Sequence, residues 1–199
     1  MILKILKTAT QSKHSITENK ANADKIMQGT LQIEEYKNLL LATYIFHEQI
    51  EKQLAKIPAI VLYQGLNFGA RQKTQALKQD IENLGITANV SQAMPNTIKI
   101  QTLEQGLGAM YVMEGATLGG AIIFRELQKN KNLQNYSNAM HYYQIYGENT
   151  GKNWKEFCSI LQEVAKTPTQ IDQIVETANK TFDAYIQCLN YLQTKQNFR

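Results

Sequence analysis

Proline and cysteine are both scarce in this chain, with three and two residues among 199. Because proline interrupts helices, its scarcity is compatible with long helical segments, which the abundance of Gln, Asn, Lys and Leu also favours. Cys158 and Cys188 lie far apart and in no metal-ligand spacing, so we predict reduced thiols. Apolar residues make up 43% and charged residues 19% of the sequence, which is typical of a folded protein, and we predict one domain at 1–199.

The sequence also lacks a strong net charge, a long apolar run and a targeting segment. The formal net charge is +4 and the lysines are scattered, which argues against a nucleic-acid surface and is equally compatible with a pocket for a small anion. Apolar stretches such as LLLATYIF are shorter than the roughly 20 residues that span a bilayer. The N-terminal MILKILKTAT has no signal-peptide pattern. We therefore predict a cytoplasmic protein that binds neither nucleic acid nor a membrane.

Common catalytic motifs are missing as well. The three histidines are His14, His47 and His141, and they form no HExxH motif, Cys/His cluster or Ser-His-Asp signature; a P-loop is also absent. Zinc-dependent hydrolysis and nucleotide binding are therefore not indicated. We interpret His47 as a boundary residue of a helix and His141 as part of an aromatic packing cluster. Trp154, Phe157 and Phe182 are predicted core residues.

The apolar periodicity predicts an all-α fold. Helices are predicted over 2–19, 31–56, 71–84, 99–129, 149–165 and 168–196, with a short one within 132–147 and loops over 58–69 and 86–98. Gly85 is expected to end the third helix, and Thr167 to cap the last one with Pro168 in its first position.

The helix over 99–129 contains YVMEGATLGGAII, in which Gly115, Gly119 and Gly120 fall within six residues. Each glycine inside a helix costs about 1 kcal/mol relative to alanine. Two explanations are open: another protein helix packs unusually close, or a flat ligand lies against the backbone. The spacing of Gly115 and Gly119 by itself favours close packing. In either case we expect the helix to bend there.

His14 and Glu18 are four residues apart and therefore share one face of the first helix. A carboxylate in that position can accept a hydrogen bond from one imidazole nitrogen, which fixes the tautomer and makes the other nitrogen a better metal ligand. The spacing alone is weak evidence, since a histidine on an amphipathic helix is more often a polar surface residue.

Four segments together resemble one family. LKTATQSKHSITEN at 6–19 looks like the proximal helix of the haem oxygenases, and EGATLGG at 114–120 is similar to their distal helix. YGENTGKNWKEF at 146–157 and TPTQIDQIVETANKTFDA at 167–184 resemble a bacterial branch of that family. The resemblance covers nearly the whole chain in the right order. It implies a single-domain haem-oxygenase-like helical bundle with a kinked, glycine-rich distal helix.

The resemblance also implies an activity. Haem would be both cofactor and substrate, bound through His14 as the iron ligand with Glu18 beside it. Gly115, Gly119 and Gly120 would let the distal backbone lie close to the porphyrin. The ring would be opened with O2 and external electrons to give biliverdin, carbon monoxide and Fe2+. A separate ferredoxin or flavoprotein reductase would supply those electrons, consistent with the missing nucleotide-binding motif.

Cations are expected at the haem propionates. Lys7 matches a basic position of the proximal helix, and Lys152 and Lys155 lie where the family supplies further cations. Solvated surface lysines are an equally good interpretation of each. Arg71 and Arg125 could serve instead or form salt bridges.

The chain departs from the family pattern at Ala116, where many members have an aspartate that anchors distal water. Thr117 could anchor a water in its place, so we group it with Gly115 and Gly119 as the catalytic candidates. Glu114 is expected to point elsewhere. The substitution leaves open a non-catalytic haem carrier or sensor on the same fold, and a thiaminase-like relative without haem is a further alternative.

Overall fold

The computed structural model describes residues 1–86 and 98–196, with side chains through Gln193. The α-helices are α1 (Ile2–Lys20), α2 (Ala23–Met27), α3 (Ile33–Leu54), α4 (Pro58–Val61), α5 (Thr74–Asn83), α6 (Leu103–Ala116), α7 (Gly120–Lys129), α8 (Thr150–Val164) and α9 (Pro168–Gln196). The described residues contain no strand. The predicted all-α class is confirmed, whereas the predicted loop at 86–98 lies almost wholly outside the described residues.

Helix ends follow local chemistry that the sequence carries. Thr102 caps α6, where its hydroxyl accepts a hydrogen bond from the Gln105 amide at 3.3 Å. Thr167 accepts from the Gln170 amide at 3.3 Å ahead of Pro168, as predicted for α9. Gly85 ends α5 in the left-handed region at φ +69°, which a side chain would disfavour. These ends therefore form where short-range signals place them.

α9 is the central helix of the bundle. It packs along α6, α1 and α3, and its buried residues Ile174, Ala178 and Leu189 join the main core. α1 and α6 are thus supported by the same helix. This shared support brings the segment around His14 and the glycine-rich segment to one side of the molecule.

The predicted bend is confirmed. α6 ends at Ala116, a 3-10 turn follows at Thr117–Gly119, and α7 begins at Gly120. The backbone stays in the right-handed region, with φ −81° at Gly119 and −54° at Gly120. Since no positive φ is involved, the glycines are not required by backbone conformation. Their role must lie in the space beside them.

Tertiary contacts override the sequence pattern in three places. α2 forms in the stretch between the helices predicted at 2–19 and 31–56, and α4 forms where a loop was predicted, beginning at Pro58, a favourable first position. α5 begins at Thr74 because Arg71 and Lys73 turn into the core instead. The short helix predicted within 132–147 is wrong: the region forms 3-10 turns at Lys131–Tyr136, His141–Gln144 and Gly147–Asn149.

Among the described residues, one helical run, Leu103–Lys129, is long and apolar enough to cross a membrane by length and composition. It includes the kink, and α6 within it packs in the core against α9. Central helices of folded bundles meet the same criterion.

Candidate haem site

The His14 ring projects from α1 with 56% of its side chain exposed. Its Nδ1 lies 3.3 Å from the Glu18 Oε2, the geometry expected from the four-residue spacing. Phe182 of α9 meets the ring edge-on, with centroids 6.0 Å apart and planes at 68°. The imidazole is therefore oriented from two sides, while much of its surface stays accessible to a ligand.

α1 and α6 approach each other one turn away from the predicted site residues. The side chain of Tyr111 in α6 reaches the hydroxyl of Thr10 in α1, and burial raises the pKa of this tyrosine while the threonine opposes the shift. His14 follows Thr10 by one turn, and Gly115 follows Tyr111 by one turn. The predicted iron ligand and the first hinge glycine therefore flank the same interhelical contact.

The glycines of the kinked helix fall into two groups, which differ in how much room a β-carbon would have. A β-carbon added at Gly115 would meet only the Trp154 ring, at 3.8 Å, and one added at Gly119 only the Ile123 Cδ1, at 3.7 Å. Both are ordinary van der Waals distances, so the protein itself does not require glycine there. Close packing between protein helices therefore does not explain Gly115 and Gly119.

Tight packing is found instead at the other glycines of the helix. A β-carbon at Gly106 would lie 2.7 Å from the Ile60 Cδ1, and one at Gly108 would overlap the Ile174 carbonyl oxygen. At Gly120 it would lie 2.6 Å from the Tyr143 carbonyl oxygen. Gly120, predicted at the haem face, is thus accounted for by a protein contact. Its predicted role toward haem gains no support.

The open side of the kink is apolar. Leu118 and Ile122 are exposed to 47% and 48%, which is unusual for side chains of this size. They lie three and seven residues after Gly115, on one helical face with Gly119. An accessible imidazole, side-chain-free backbone and exposed apolar groups together fit a flat, largely apolar ring that carries a metal.

Comparisons with known proteins point the same way. The family model described as "Heme oxygenase" matches residues 1–191. The chain belongs to the haem oxygenase family. A haem oxygenase from Xanthomonas campestris pv. campestris is 25% identical over 162 residues, which span 81% of this chain and 93% of the relative.

Solved structures agree on the fold of this haem oxygenase family member. The NO- and CO-bound enzyme of Neisseria meningitidis matches with a TM-score of 0.77 and 19% identity, over 96% of this chain and 92% of that one. The haem complex of haem oxygenase-1 from Synechocystis matches at 0.73 and 17%, over 98% and 93%. The enzyme from Leptospira interrogans matches at 0.76 and 16%, over 96% and 98%. The predicted bundle is confirmed, and family membership implies haem binding.

The predicted propionate lysines occupy different surroundings. Lys7, Lys152 and Lys155 are exposed, and among the described residues none of their side-chain ammonium groups has a hydrogen-bond or ion-pair partner. Lys7 lies two turns before His14 on the same helical face. Lys152, however, lines an open cavity of about 870 Å³ together with Asn149 and Glu156. That placement does not support a propionate role for Lys152, which remains a prediction.

Arg71 and Glu114 form a buried ion pair that the sequence analysis did not identify. The Arg71 Nη1 lies 2.5 Å from the Glu114 Oε2, and the Lys73 Nζ lies 2.6 Å from the Glu114 Oε1. All three residues are at most 5% exposed. Burial lowers the pKa of Lys73, and the Glu114 charge opposes that shift. Of the two options for Arg71, the salt bridge is the one formed; Arg125 also pairs, at the surface, with Glu126.

The interpretation of His47 as a boundary residue is wrong. Only 2% of its side chain is exposed; its Nδ1 lies 3.4 Å from the Glu51 Oε1 and its Nε2 3.2 Å from the Tyr142 hydroxyl. Burial lowers the pKa of His47, although Glu51 opposes the shift. The signal was available in the sequence: the preceding LLLATYIF is apolar on every side of the helix, which predicts a fully enclosed segment.

The remaining candidates have defined surroundings. The Thr117 hydroxyl donates to the Glu114 carbonyl at 2.7 Å, so its proton caps the end of α6 while its oxygen can still accept. The backbone amide and the Nδ1 of His141 both bond the Asp80 carboxylate, a polar role that packing alone did not predict. Phe157 and Phe182 are core residues as predicted, while Trp154 is half-buried beside the opening at Gly115. Cys158 and Cys188 are free thiols.

Proposed function

We propose that this member of the haem oxygenase family holds haem between α1 and the α6–α7 kink and opens it to biliverdin, carbon monoxide and Fe2+. The observation that carries this proposal is the pairing of an accessible His14 with two glycines, Gly115 and Gly119, that protein packing does not require. A ligand that needs both an imidazole and a bare backbone face accounts for the two features at once.

The proximal residues would set the iron ligand. Glu18 can accept a hydrogen bond from the His14 Nδ1, which leaves the Nε2 lone pair free for iron. Phe182 restrains rotation of the ring. When bound, haem supplies both the redox-active iron and the porphyrin carbon that is oxidised, under a neutral histidine ligand.

The distal residues would control what approaches the other face. With no side chain at Gly115 and Gly119, backbone groups and water are the nearest polar partners there. The Thr117 oxygen can accept a hydrogen bond from such a water, since its own proton is committed to Glu114. The Trp154 ring lies beside Gly115 and would border the haem on that side.

The haem propionates need cationic partners from this chain, and the electrons need a separate donor protein. Lys7 is the favoured propionate partner because it shares a helical face with His14 and has no ion-pair partner among the described residues. Lys155 is a second candidate. A ferredoxin or flavoprotein reductase is the proposed electron donor, since no nucleotide-binding motif was found in the sequence. The cytoplasmic location and the lack of nucleic-acid and membrane partners remain predictions.

A carrier or sensor is the alternative that one observation favours. Ala116 provides no acid after the first glycine, and the Thr117 proton is already used within the helix end. If no group orders distal water, haem would bind through His14 and persist in the presence of oxygen and electrons.

One experiment separates these functions. The haem complex is mixed with a ferredoxin and its reductase in air, and absorption is followed. Loss of the Soret band with release of biliverdin is expected of the enzyme, whereas a persistent Soret band would establish the carrier. His14→Ala should lose iron ligation, and added imidazole should restore the ligated spectrum. Ser12→Ala, an exposed change two residues away and on the other side of the same helix, is the matched control. An unaltered Soret band in His14→Ala would refute the assigned ligand.

A further inference from the structure

One segment contacts both arms of the α6–α7 kink. We call this segment, residues 141–146, the brace. On the α6 side, the Tyr146 hydroxyl donates to the Glu114 Oε1 at 2.9 Å, immediately before Gly115. On the α7 side, the Tyr143 carbonyl oxygen leaves no room for a β-carbon at Gly120. The brace therefore spans the 3-10 turn that separates the two helices.

The brace is itself fixed to the core. Asp80 is completely buried, and its carboxylate accepts hydrogen bonds from the backbone amides of His141, at 2.8 Å, and Tyr142, at 2.9 Å. The Tyr142 hydroxyl lies 3.2 Å from the His47 Nε2 in α3. Because these partners belong to α5 and α3, the brace holds the kink in a fixed position relative to these core helices.

Glu114 is held by charge as well as by the brace. Lys73 and Arg71 bond its two carboxylate oxygens, and the Arg71 guanidinium also donates to the Asn153 carbonyl of α8 at 3.2 Å. Charge-assisted hydrogen bonds in a buried site are short and directional. A buried carboxylate between two cations cannot move without leaving a charge unpaired. The last turn of α6 is thus tied to the 66–73 loop and to α8.

The surroundings of the 3-10 turn explain why such fixation matters. The turn and its flanks contain Gly115, Gly119 and Gly120, and glycine permits a wide range of backbone angles. At Gly115 and Gly119 the nearest side chains are only in ordinary van der Waals contact. The angle of the kink is therefore set by contacts beyond the glycines themselves.

We infer that Glu114, Tyr146 and Gly120 are positioning residues. Together with the brace and the two cations Arg71 and Lys73, they fix how closely the kink backbone approaches the distal face of haem. This inference rests on the proposed function. None of the three residues needs to touch haem. A displacement of about 1 Å in a reacting site can cost about a hundredfold in rate, so the effect of such positioning is measurable.

The test uses Tyr146→Phe, which removes the hydroxyl that donates to Glu114 and accepts from Lys73, and Gly120→Ala, which presses on the Tyr143 carbonyl. The readout is the C–O stretching frequency of the ferrous carbon monoxide complex, which responds to backbone dipoles near the bound gas. Both variants should shift or broaden this band and redistribute the biliverdin isomers, with the Soret band of the haem complex retained. Gly106→Ala, a tight glycine on the same helix far from the kink, is the control and should leave the band unchanged.

Glu114→Gln is the strongest variant, with an expected rate loss of about ten- to a hundredfold. If it fails to fold, Lys73→Met/Glu114→Gln removes one charge of each sign and should recover folding with the band still shifted. An unchanged band and isomer ratio in Tyr146→Phe, Gly120→Ala and the double variant would overturn the inference. That outcome is distinct from failure of the proposed function, in which the unaltered protein itself would bind haem without opening it.

Discussion

Two His–Glu pairs with the same spacing occupy opposite environments in this molecule. His14 and Glu18 in α1 are 3.3 Å apart with 56% and 58% of their side chains exposed. His47 and Glu51 in α3 are 3.4 Å apart with 2% and 6% exposed. The i,i+4 geometry is nearly identical, and burial alone separates a ring that is free to bind a ligand from one enclosed in the core.

The buried environment also shifts the pKa values of His47 and Glu51. Burial alone would raise the pKa of Glu51, yet the adjacent His47 ring and the hydrogen bonds from Thr74 and the Lys73 amide lower it overall. Burial favours the neutral form of His47, whose Nε2 lies within hydrogen-bond distance of the Tyr142 hydroxyl and whose Nδ1 lies 3.4 Å from the Glu51 Oε1. An imidazole used in this way stabilises the fold and is unavailable to iron. His14, with only Glu18 and an aromatic edge beside it, keeps one nitrogen free.

The largest expected effect comes from deleting each ring in turn. His47→Ala should lower the free energy of unfolding by about 2–4 kcal/mol, because it leaves a cavity and removes partners of Glu51 and Tyr142. His14→Ala should change it by less than about 0.5 kcal/mol, because the ring is exposed. Urea unfolding of the haem-free proteins measures both. Equal losses in the two variants would break the comparison.

A second contrast between open and enclosed positions lies on the kinked helix. Gly108→Ala should destabilise the haem-free protein by about 1–3 kcal/mol or more, because the new β-carbon would meet a backbone carbonyl. Gly119→Ala should stabilise it by about 0.4–1 kcal/mol, because its backbone angles suit alanine and there is space for the methyl group. The same Gly119→Ala change should weaken haem binding.

Thermal unfolding without haem and a haem titration of each variant check these opposite signs. Gly106→Ala gives an intermediate case, since its neighbour is the flexible end of Ile60. If Gly119→Ala binds haem as tightly as the unaltered chain, the open glycine face is not part of the site.

Most of the fold was predictable because its signals are local. The apolar periodicity, the Thr102 and Thr167 caps and the glycine-rich bend each act within a few residues. The 131–149 region was not predictable in the same way. Its 3-10 turn at His141–Gln144 is held by Asp80, some sixty residues earlier in the sequence, and no nearby pattern encodes that bond.

The residues expected to contact haem were predictable from the sequence, whereas the residues that hold them in place were not. Family resemblance assigned His14 and the distal glycines, and the sequence already contained both. The Glu114–Arg71–Lys73 cluster could not be found, because each of these charged residues is ordinarily exposed and only the folded chain brings them together. The distinct packing of Gly120 was likewise beyond reach, since its neighbour Tyr143 is distant in sequence.

The smallest expected effect is the contribution of His47 to the pH dependence of stability. Burial lowers the pKa of His47 in the folded chain, so the unfolded chain takes up the proton first as the pH falls. The stability contribution is therefore complete above about pH 6.5, the ordinary histidine value, and is lost as the pH falls below it. The slope of stability against pH cannot exceed about 1.4 kcal/mol per pH unit for one proton.

Urea unfolding of the haem-free protein from neutral pH downward should show this loss, and His47→Gln should flatten the slope. An unchanged slope in His47→Gln would mean that the enclosed histidine does not couple folding to protons.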